Sequence, residues 1–402
     1  MDDLSTNAVT PAASLPLVFA PDIARGTFAA AHRLLPHLER GERVDARILR
    51  AAMETTFGAS DSSGAWDWKT AYDACEAATV LFLRKYGKAL FRKADSPALR
   101  LSALAKIAGL LPTHTRRSTE SETFQQFSTP TTLGLAALTA AAIEPADRVL
   151  EPSAGTGLLA ILAEIAGGTL VLNELAEART ALLSALFPAV TVTRFDAAQI
   201  DDYLDPAVVP SVVLMNPPFS AMANVTGLMA DTVYRHIAAA LARLADGGRL
   251  VAITGANFSP DAPSWHDAFV RLQERGRIVF TAGIDGTVYA KHGTTIDTRL
   301  IVIDKAPADD PFALPETRGR APDVATLLSW IAEHVPARLV LAPSIAIPVS
   351  AAAAPRAVRG YLTRAAVAQP VKPSVADPEA VDLAYETIDW TPPEGARLSD
   401  AI

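Results

Sequence analysis

Cysteine is almost missing from this chain of 402 residues: Cys75 stands alone. One thiol excludes an internal disulfide and any zinc site built on several cysteines. Aromatic residues are scarce, at 6%, while alanine abounds, and that mix favours helices packed closely on a sheet. No apolar run reaches the roughly 20 residues that a bilayer-spanning helix needs. The opening MDDLSTNAVTPAAS is acidic and polar, without the basic start of a secretory signal. These absences imply a soluble, cytoplasmic protein with no membrane partner. A net charge of −8 excludes a chain that is basic throughout and would bind nucleic acid by overall charge. The distribution is uneven, since residues 80–119 hold nine Lys/Arg against one acid, Asp95. Such a local excess suits phosphate contacts or a solvated helix face.

Four regions follow from texture. Residues 1–21 are rich in Pro, Ala and Ser and read as a disordered tail. Residues 22–112 carry helical periodicity broken at Gly41, Gly58 and Gly87, which reads as a helical domain. From 118 to 306, seven short apolar strands alternate with helices, among them DRVLEPS, GTLVLNE, SVVLMN and RLVAITG. That alternation predicts an α/β fold, a doubly wound, mainly parallel sheet covered on both faces. Its last two strands, RIVFTAG and TRLIVIDK, lack a long helix between them and suit an antiparallel edge pair. Residues 307–402 hold thirteen of the 29 prolines and one helical stretch, DVATLLSWIAEHV, and read as a linker.

The strand ends carry the chemistry. In VLEPSAGTGLLA a strand meets a helix through Gly155 and Gly157, which permit a tight turn and close approach of a ligand. Glu151 inside that turn would repel a pyrophosphate but suits a cationic ligand. Glu174 ends the second strand, where a carboxylate can accept from both hydroxyls of a ribose, as NAD and S-adenosylmethionine both require. Asp196 ends the third, as an acceptor for an adenine amine or as a helix cap. The fourth stops on Asn216-Pro217-Pro218-Phe219. Two prolines cannot continue a central strand, so the elbow is rigid. It offers the Asn216 amide oxygen and the Pro217 carbonyl as two acceptors for a planar NH₂, and the Phe219 ring for a flat heterocycle to stack on. Either this is an amine-binding site or Pro-Pro is only a turn.

EPSAGTG followed some 60 residues later by NPPF resembles the class I S-adenosylmethionine-dependent amino-methyltransferases, above all their DNA adenine-N6 branch. Upstream, FQQFSTP resembles the motif that precedes the glycine loop in the gamma order of that branch. The resemblance covers roughly residues 118–305 and implies a seven-stranded Rossmann-like methyltransferase sheet behind an N-terminal helical domain. It implies S-adenosylmethionine as cofactor, with Thr129 and Pro130 at its methionine carboxylate. Glu151, Ser153, Gly155 and Gly157 would surround the amino-acid part, with Glu174 at the ribose and Asp196 at the adenine. Asn216, Pro217, Pro218 and Phe219 match the catalytic tetrad, and Tyr289 in GTVYAKHGTTIDT would be a second aromatic wall. The implied partner is DNA with a flipped adenine, held at its phosphates by the basic 80–119 segment including Arg116 and Arg117.

The order of helical front, methyltransferase and the late YETIDWTPPEGARLSDAI also resembles the methylase part of bacterial plasmid or phage fusions to a strawberry-notch-like helicase. That implies a helicase domain or subunit as partner, since no GxxxxGK[ST] occurs in this chain. RNA or protein-glutamine methylation, or a non-catalytic cofactor-binding clamp for the helicase, are the alternatives. Ser264, His266 and Asp267 stand too close on one helix to face one another as a triad. His114 and His292 read as loop histidines, His292 at the surface, and no metal site is expected.

Overall fold

The computed structural model describes residues 20–115, 128–218 and 232–341, all within one compact unit. Four helices come first: α1 (Ala20–Glu39), α2 (Ala46–Phe57), α3 (Trp68–Lys93) and α4 (Pro97–Leu110). Their starts are fixed locally. Asp45, Asp67 and Ser96 accept from the amides of Ile48, Thr70 and Leu99, three residues on in each case, which satisfies amides that have no partner inside the helix. Gly58 closes α2 in the left-handed region, at φ 72°.

The strands are β1 (Arg148–Glu151), β2 (Thr169–Asn173), β3 (Val192–Thr193), β4 (Val212–Met215), β5 (Arg249–Gly255), β6 (Arg277–Ile284), β7 (Thr298–Asp304) and β8 (Arg320–Ala321). Between them lie α5 (Thr131–Ala141, before β1), α6 (Leu158–Ala166), α7 (Glu177–Leu186), α8 (Ile200–Tyr203), α9 (Thr232–Arg243) and α10 (His266–Gln273), and α11 (Val324–His334) ends the series. The order across the sheet is β3-β2-β1-β4-β5-β7-β6-β8. Neighbours from β3 to β5 are parallel, with Val149 opposite Val212 and Leu150 opposite Val213. The order reverses between β1 and β4, and the crevice outside the carboxyl ends at such a switch is where open α/β sheets bind ligands.

Alternate residues of the strands feed two cores. Val149, Val212, Leu214, Val251 and Val302 face the core that also holds Leu34, Leu83 and Phe91 of the leading helices. Leu150, Val213, Met215, Leu250 and Ile301 face the opposite core with Phe269. The leading helices therefore cover one face of the sheet and share its core. Alanines 71, 74, 77 and 78 of α3 are buried, which lets that helix lie close. Gly87 does not end a helix as its place in the pattern suggests; it lies inside α3, where a Cβ would come within 2.3 Å of Ile165 on α6, so it serves close packing.

One expectation holds in part and another changes. β6 and β7 pair antiparallel as the sequence suggests, with β7 on the inner side between β5 and β6. All seven of its residues are buried, and a strand apolar on both faces has no stable place at an edge. An eighth, two-residue strand then pairs with β6. The described part of the 307–402 segment does more than link: β8 extends the sheet and α11 packs its Leu327, Leu328 and Ile331 into the shared core. Beyond α11 the chain is fastened by charge. Arg338 bonds Asp147, which also accepts from Ser211 Oγ at 2.7 Å. Among the described residues no helix is long and apolar enough to cross a membrane.

The most deeply buried cation is Arg249, 1% exposed. It meets both carboxylate oxygens of Asp304 at 2.7 and 3.0 Å, and donates to the carbonyls of Ala140 and Pro336 at 3.1 and 3.0 Å. Asp304→Ala leaves that guanidinium uncompensated and is expected to lower the unfolding free energy by about 3 kcal/mol, read by urea denaturation. A change below about 1 kcal/mol would show that the carbonyls alone suffice.

Candidate functional site

Three strand ends are stitched together by one buried amide. Asn173, the last residue of β2, is 0% exposed. Its Nδ2 donates to the carbonyls of Pro152 and Phe195, both at 2.9 Å, and its Oδ1 accepts from the Phe195 amide at 2.8 Å and Thr193 Oγ1 at 2.9 Å. The loops after β1, β2 and β3 therefore hold one arrangement. Sequence reasoning passed over this residue, although an asparagine closing the apolar run TLVL was the signal.

The glycine loop follows β1. Gly155 and Gly157 have φ of 56° and 88°, conformations that side-chain-bearing residues avoid. At Gly157 a Cβ would also sit 2.5 Å from the Phe187 ring. The Gly155 amide donates to Glu174 Oε2 at 2.8 Å, and the Ala176 amide to Oε1 at 2.9 Å. Each Glu174 oxygen keeps a second lone pair for a ligand hydroxyl. Glu151 is buried, and its Oε2 has no hydrogen-bond partner among the described residues. Burial raises the Glu151 carboxyl well above the usual range; the Ala160 amide opposes the rise and nearby Glu174 adds to it. Ser153 is half-buried in the same loop.

Asp196 is exposed at the end of β3, where it caps the 197–199 turn through the Ala198 amide at 2.9 Å. Phe195 is stacked on Tyr203, 5.6 Å between centroids. One strand over from Glu151, Asn216 leaves β4. Its Nδ2 donates to Thr129 Oγ1 at 2.9 Å, so Oδ1 is the acceptor end of the amide. Thr129 and Pro130 are buried at the start of α5, and Pro217 is buried beside Asn216 with Pro218 partly covered. Tyr289 comes to the same place but differs from an open aromatic wall. It is 0% exposed, its hydroxyl bonds the Asn216 side chain, and burial raises its pKa while that bond lowers it. Phe219, Arg116, Arg117 and the FQQF stretch lie outside the described residues.

The first turns of α3 form an unexpected wall. Glu76, 4% exposed, accepts on Oε2 from Thr156 Oγ1 of the glycine loop at 2.6 Å and from Ser128 Oγ at 2.7 Å. One turn earlier, Asp73 takes the Arg179 guanidinium of α7 at 2.9 and 3.3 Å, both largely buried. Asp73 and Glu76 interrupt the alanine-rich face of α3, and that interruption was the readable signal. His114 and His292 are also here: His114 stacks on Tyr72 at 4.0 Å, and the His292 side chain is 15% exposed rather than at the surface. Ser264, His266 and Asp267 are exposed and take no part.

The described basic residues of α3 and the start of α4 lie away from the glycine loop. α3 runs opposite to the strands, from Glu76 at the glycine loop to Arg84, which pairs with Glu164 near the end of α6 at 3.1 Å. Beyond it Lys88, Arg92 and Arg100 line a cavity of about 870 Å³ with Leu135, Leu138 and Ile143, at the amino-terminal edge of the sheet. Lys85 is engaged with Glu39 at 2.8 Å.

The fold is an open, mainly parallel α/β sheet, and Glu151, Glu174, Asp196 and Asn216 lie at or just past the carboxyl ends of its parallel strands. No protein-family model matches the chain, and no curated protein matches its sequence. Among solved structures it is similar to a putative class I S-adenosylmethionine-dependent methyltransferase from Listeria monocytogenes. That match has 11% identity, covers 79% of this chain and 99% of that one, and has TM-score 0.44. It is similar to a modification subunit of a putative type I restriction enzyme from Vibrio vulnificus, at 14%, 75% and 69%, TM-score 0.40. It is also similar to TrmN from Thermus thermophilus, at 22% identity and TM-score 0.34, over 45% of this chain and about half (51%) of that one. Likeness at this level is one of fold, not of substrate.

Asn173→Ala strips partners from the Phe195 amide and from the Pro152 and Phe195 carbonyls. A stability loss of about 2–3 kcal/mol is expected, measured by urea unfolding, together with increased amide exchange at Phe195. Unchanged exchange there would mean that the three loops do not depend on this side chain.

Proposed function

We propose that this chain transfers a methyl group from S-adenosylmethionine to the exocyclic N6 amine of adenine in DNA, with the base extruded from the duplex. The setting of Asn216 carries this reading: a carboxamide at the end of a buried strand, its nitrogen committed to Thr129, one strand from the glycine loop and Glu151. The crevice suits the cofactor chemically. The buried Glu151 Oε2 lacks a partner among the described residues and would face a cationic group, and Glu174 retains acceptor capacity for a ribose. When bound, S-adenosylmethionine supplies an electrophilic methyl on a sulfonium.

The chain's residues do the positioning. Thr129, Pro130 and Ser153 border the methionine end, Gly155 and Gly157 let the backbone approach it, and Asp196 accepts from the cofactor's adenine. The Asn216 oxygen and Pro217 carbonyl accept the two amine hydrogens, which aims the nitrogen lone pair and stabilises the charge that grows on it. No strong base is needed, since the proton can leave to water after transfer. Phe219 supplies the stacking ring, and Pro218 stiffens the elbow between ring and amide. Tyr289, being buried, steadies the Asn216 amide through its hydroxyl instead of forming a wall. In this reading a helicase domain or subunit is the partner that delivers DNA.

Labelled methyl donor incubated with unmethylated duplex DNA, single-stranded DNA, RNA and protein, followed by nucleoside analysis, tests the assignment. Label in N6-methyladenine from DNA is expected, and Asn216→Ala is expected to keep cofactor affinity while losing about 100-fold or more in turnover. Label only in RNA or glutamine, or cofactor binding without transfer to any acceptor, would replace the reading with one of its alternatives.

Glu151 gives a pH signature. Its carboxyl is protonated until the pH passes its raised pKa, so its attraction for a cationic ligand grows as pH rises. Cofactor affinity by calorimetry is expected to increase as pH rises through that raised pKa, and Glu151→Gln to weaken binding and flatten that dependence. An equal slope in wild type and variant would remove Glu151 from the cofactor site.

A further inference from the structure

Two imidazoles and a carboxylate, far apart in sequence, meet beside the glycine loop. Glu76 comes from α3, His114 from the loop after α4, and His292 from the end of the 286–292 turn. One potential donor atom from each lies within 4.8 Å of the others. We propose that Glu76, His114 and His292 form a binding site for a divalent transition-metal ion of the zinc type, which fastens α3 and the two histidine loops together next to Thr156. The proposal is independent of the methyl-transfer reading.

The donors are held in place. The His114 amide donates to the Lys291 carbonyl at 2.9 Å, so the two histidine loops are joined through their backbones. The next amide, Thr115, donates to the Tyr72 hydroxyl at 3.0 Å, while the Tyr72 ring stacks on His114 with 11° between planes. Gly293 closes the turn at φ 77°, where a Cβ would come 2.7 Å from the His114 carbonyl oxygen. Glu76 is oriented by the two hydroxyls on its Oε2, which turns Oε1 toward His292. Hydroxyls that hold a carboxylate in this way are the usual outer support of a metal ligand.

One distance asks for an ion. His292 Nδ1 and Glu76 Oε1 are 3.9 Å apart, too far for a hydrogen bond. Nδ1 is buried with no hydrogen-bond partner among the described residues. Donors each about 2.0–2.1 Å from a shared tetrahedral ion stand about 3.4 Å apart, so this pair has roughly half an ångström to close. Lys291, the nearest cation, is turned away to the Leu111 carbonyl at 2.7 Å. Two imidazoles with one carboxylate favour zinc, cobalt, nickel or ferrous iron over magnesium or calcium, which prefer all-oxygen sites.

The test uses the full chain without a histidine tag, stripped with a chelator and titrated with Zn²⁺ or Co²⁺, with Mg²⁺ as control. Binding of about one Zn²⁺ equivalent at micromolar affinity or tighter is expected, with visible Co²⁺ absorption bands typical of low coordination number. Zn²⁺ should raise the melting temperature, and Mg²⁺ should not. His114→Gln and His292→Gln are each expected to weaken Zn²⁺ binding by roughly tenfold or more, and Glu76→Gln to do likewise. Absence of stoichiometric Zn²⁺ binding to the wild-type chain would overturn the proposal without recourse to any variant. So would binding that both histidine substitutions leave unchanged in folded protein, as judged by circular dichroism.

Discussion

The Asn173 carboxamide is the interaction on which the rest of the site depends. Parallel strands end in loops that share no ladder, so their carboxyl ends would otherwise be free to move independently. With four hydrogen bonds to Pro152, Thr193 and Phe195, this buried side chain replaces the missing ladder. Glu151, Glu174 and Asp196 then keep fixed spacing, which a ligand spread over three strand ends requires. Such a network rigidifies when every member is satisfied, and here each amide group of Asn173 is used.

The second constraint is the attachment of α3. A doubly wound sheet does not need a helix that enters before it in the chain, yet Asp73 and Glu76 reach the first turn of α7 and the glycine loop through Arg179 and Thr156. These are charged groups out of water, and their pairing sets the docking position as much as the alanine face does. The leading helices are thereby part of the site's wall, and the glycine loop is held from both sides: by Glu174 through the Gly155 amide and by Glu76 through Thr156.

The same helix reaches both edges of the sheet. Over 26 residues it spans about 39 Å, long enough to put acids at the carboxyl edge of the sheet and Lys88 and Arg92 at the opposite edge. Of the local positive charge seen in the sequence, Lys88, Arg92 and Arg100 line the apolar-floored cavity beside α4.

Much of the architecture was legible from residues alone. Strand and helix alternation, the helix stop at Gly58, the turn at Gly155 and Gly157 and the rigid elbow after Met215 are local matters, fixed by side-chain period and restricted φ. Those rules put Glu151, Glu174, Asp196 and Asn216 at strand ends. Tertiary structure alone decided where β7 inserts, which way α3 runs past the sheet, that Tyr289 is buried against Asn216, and that Glu76, His114 and His292 share one corner. The physical reason is that these depend on which distant surfaces bury one another, and pairwise burial between remote segments leaves no period or spacing in the chain to read.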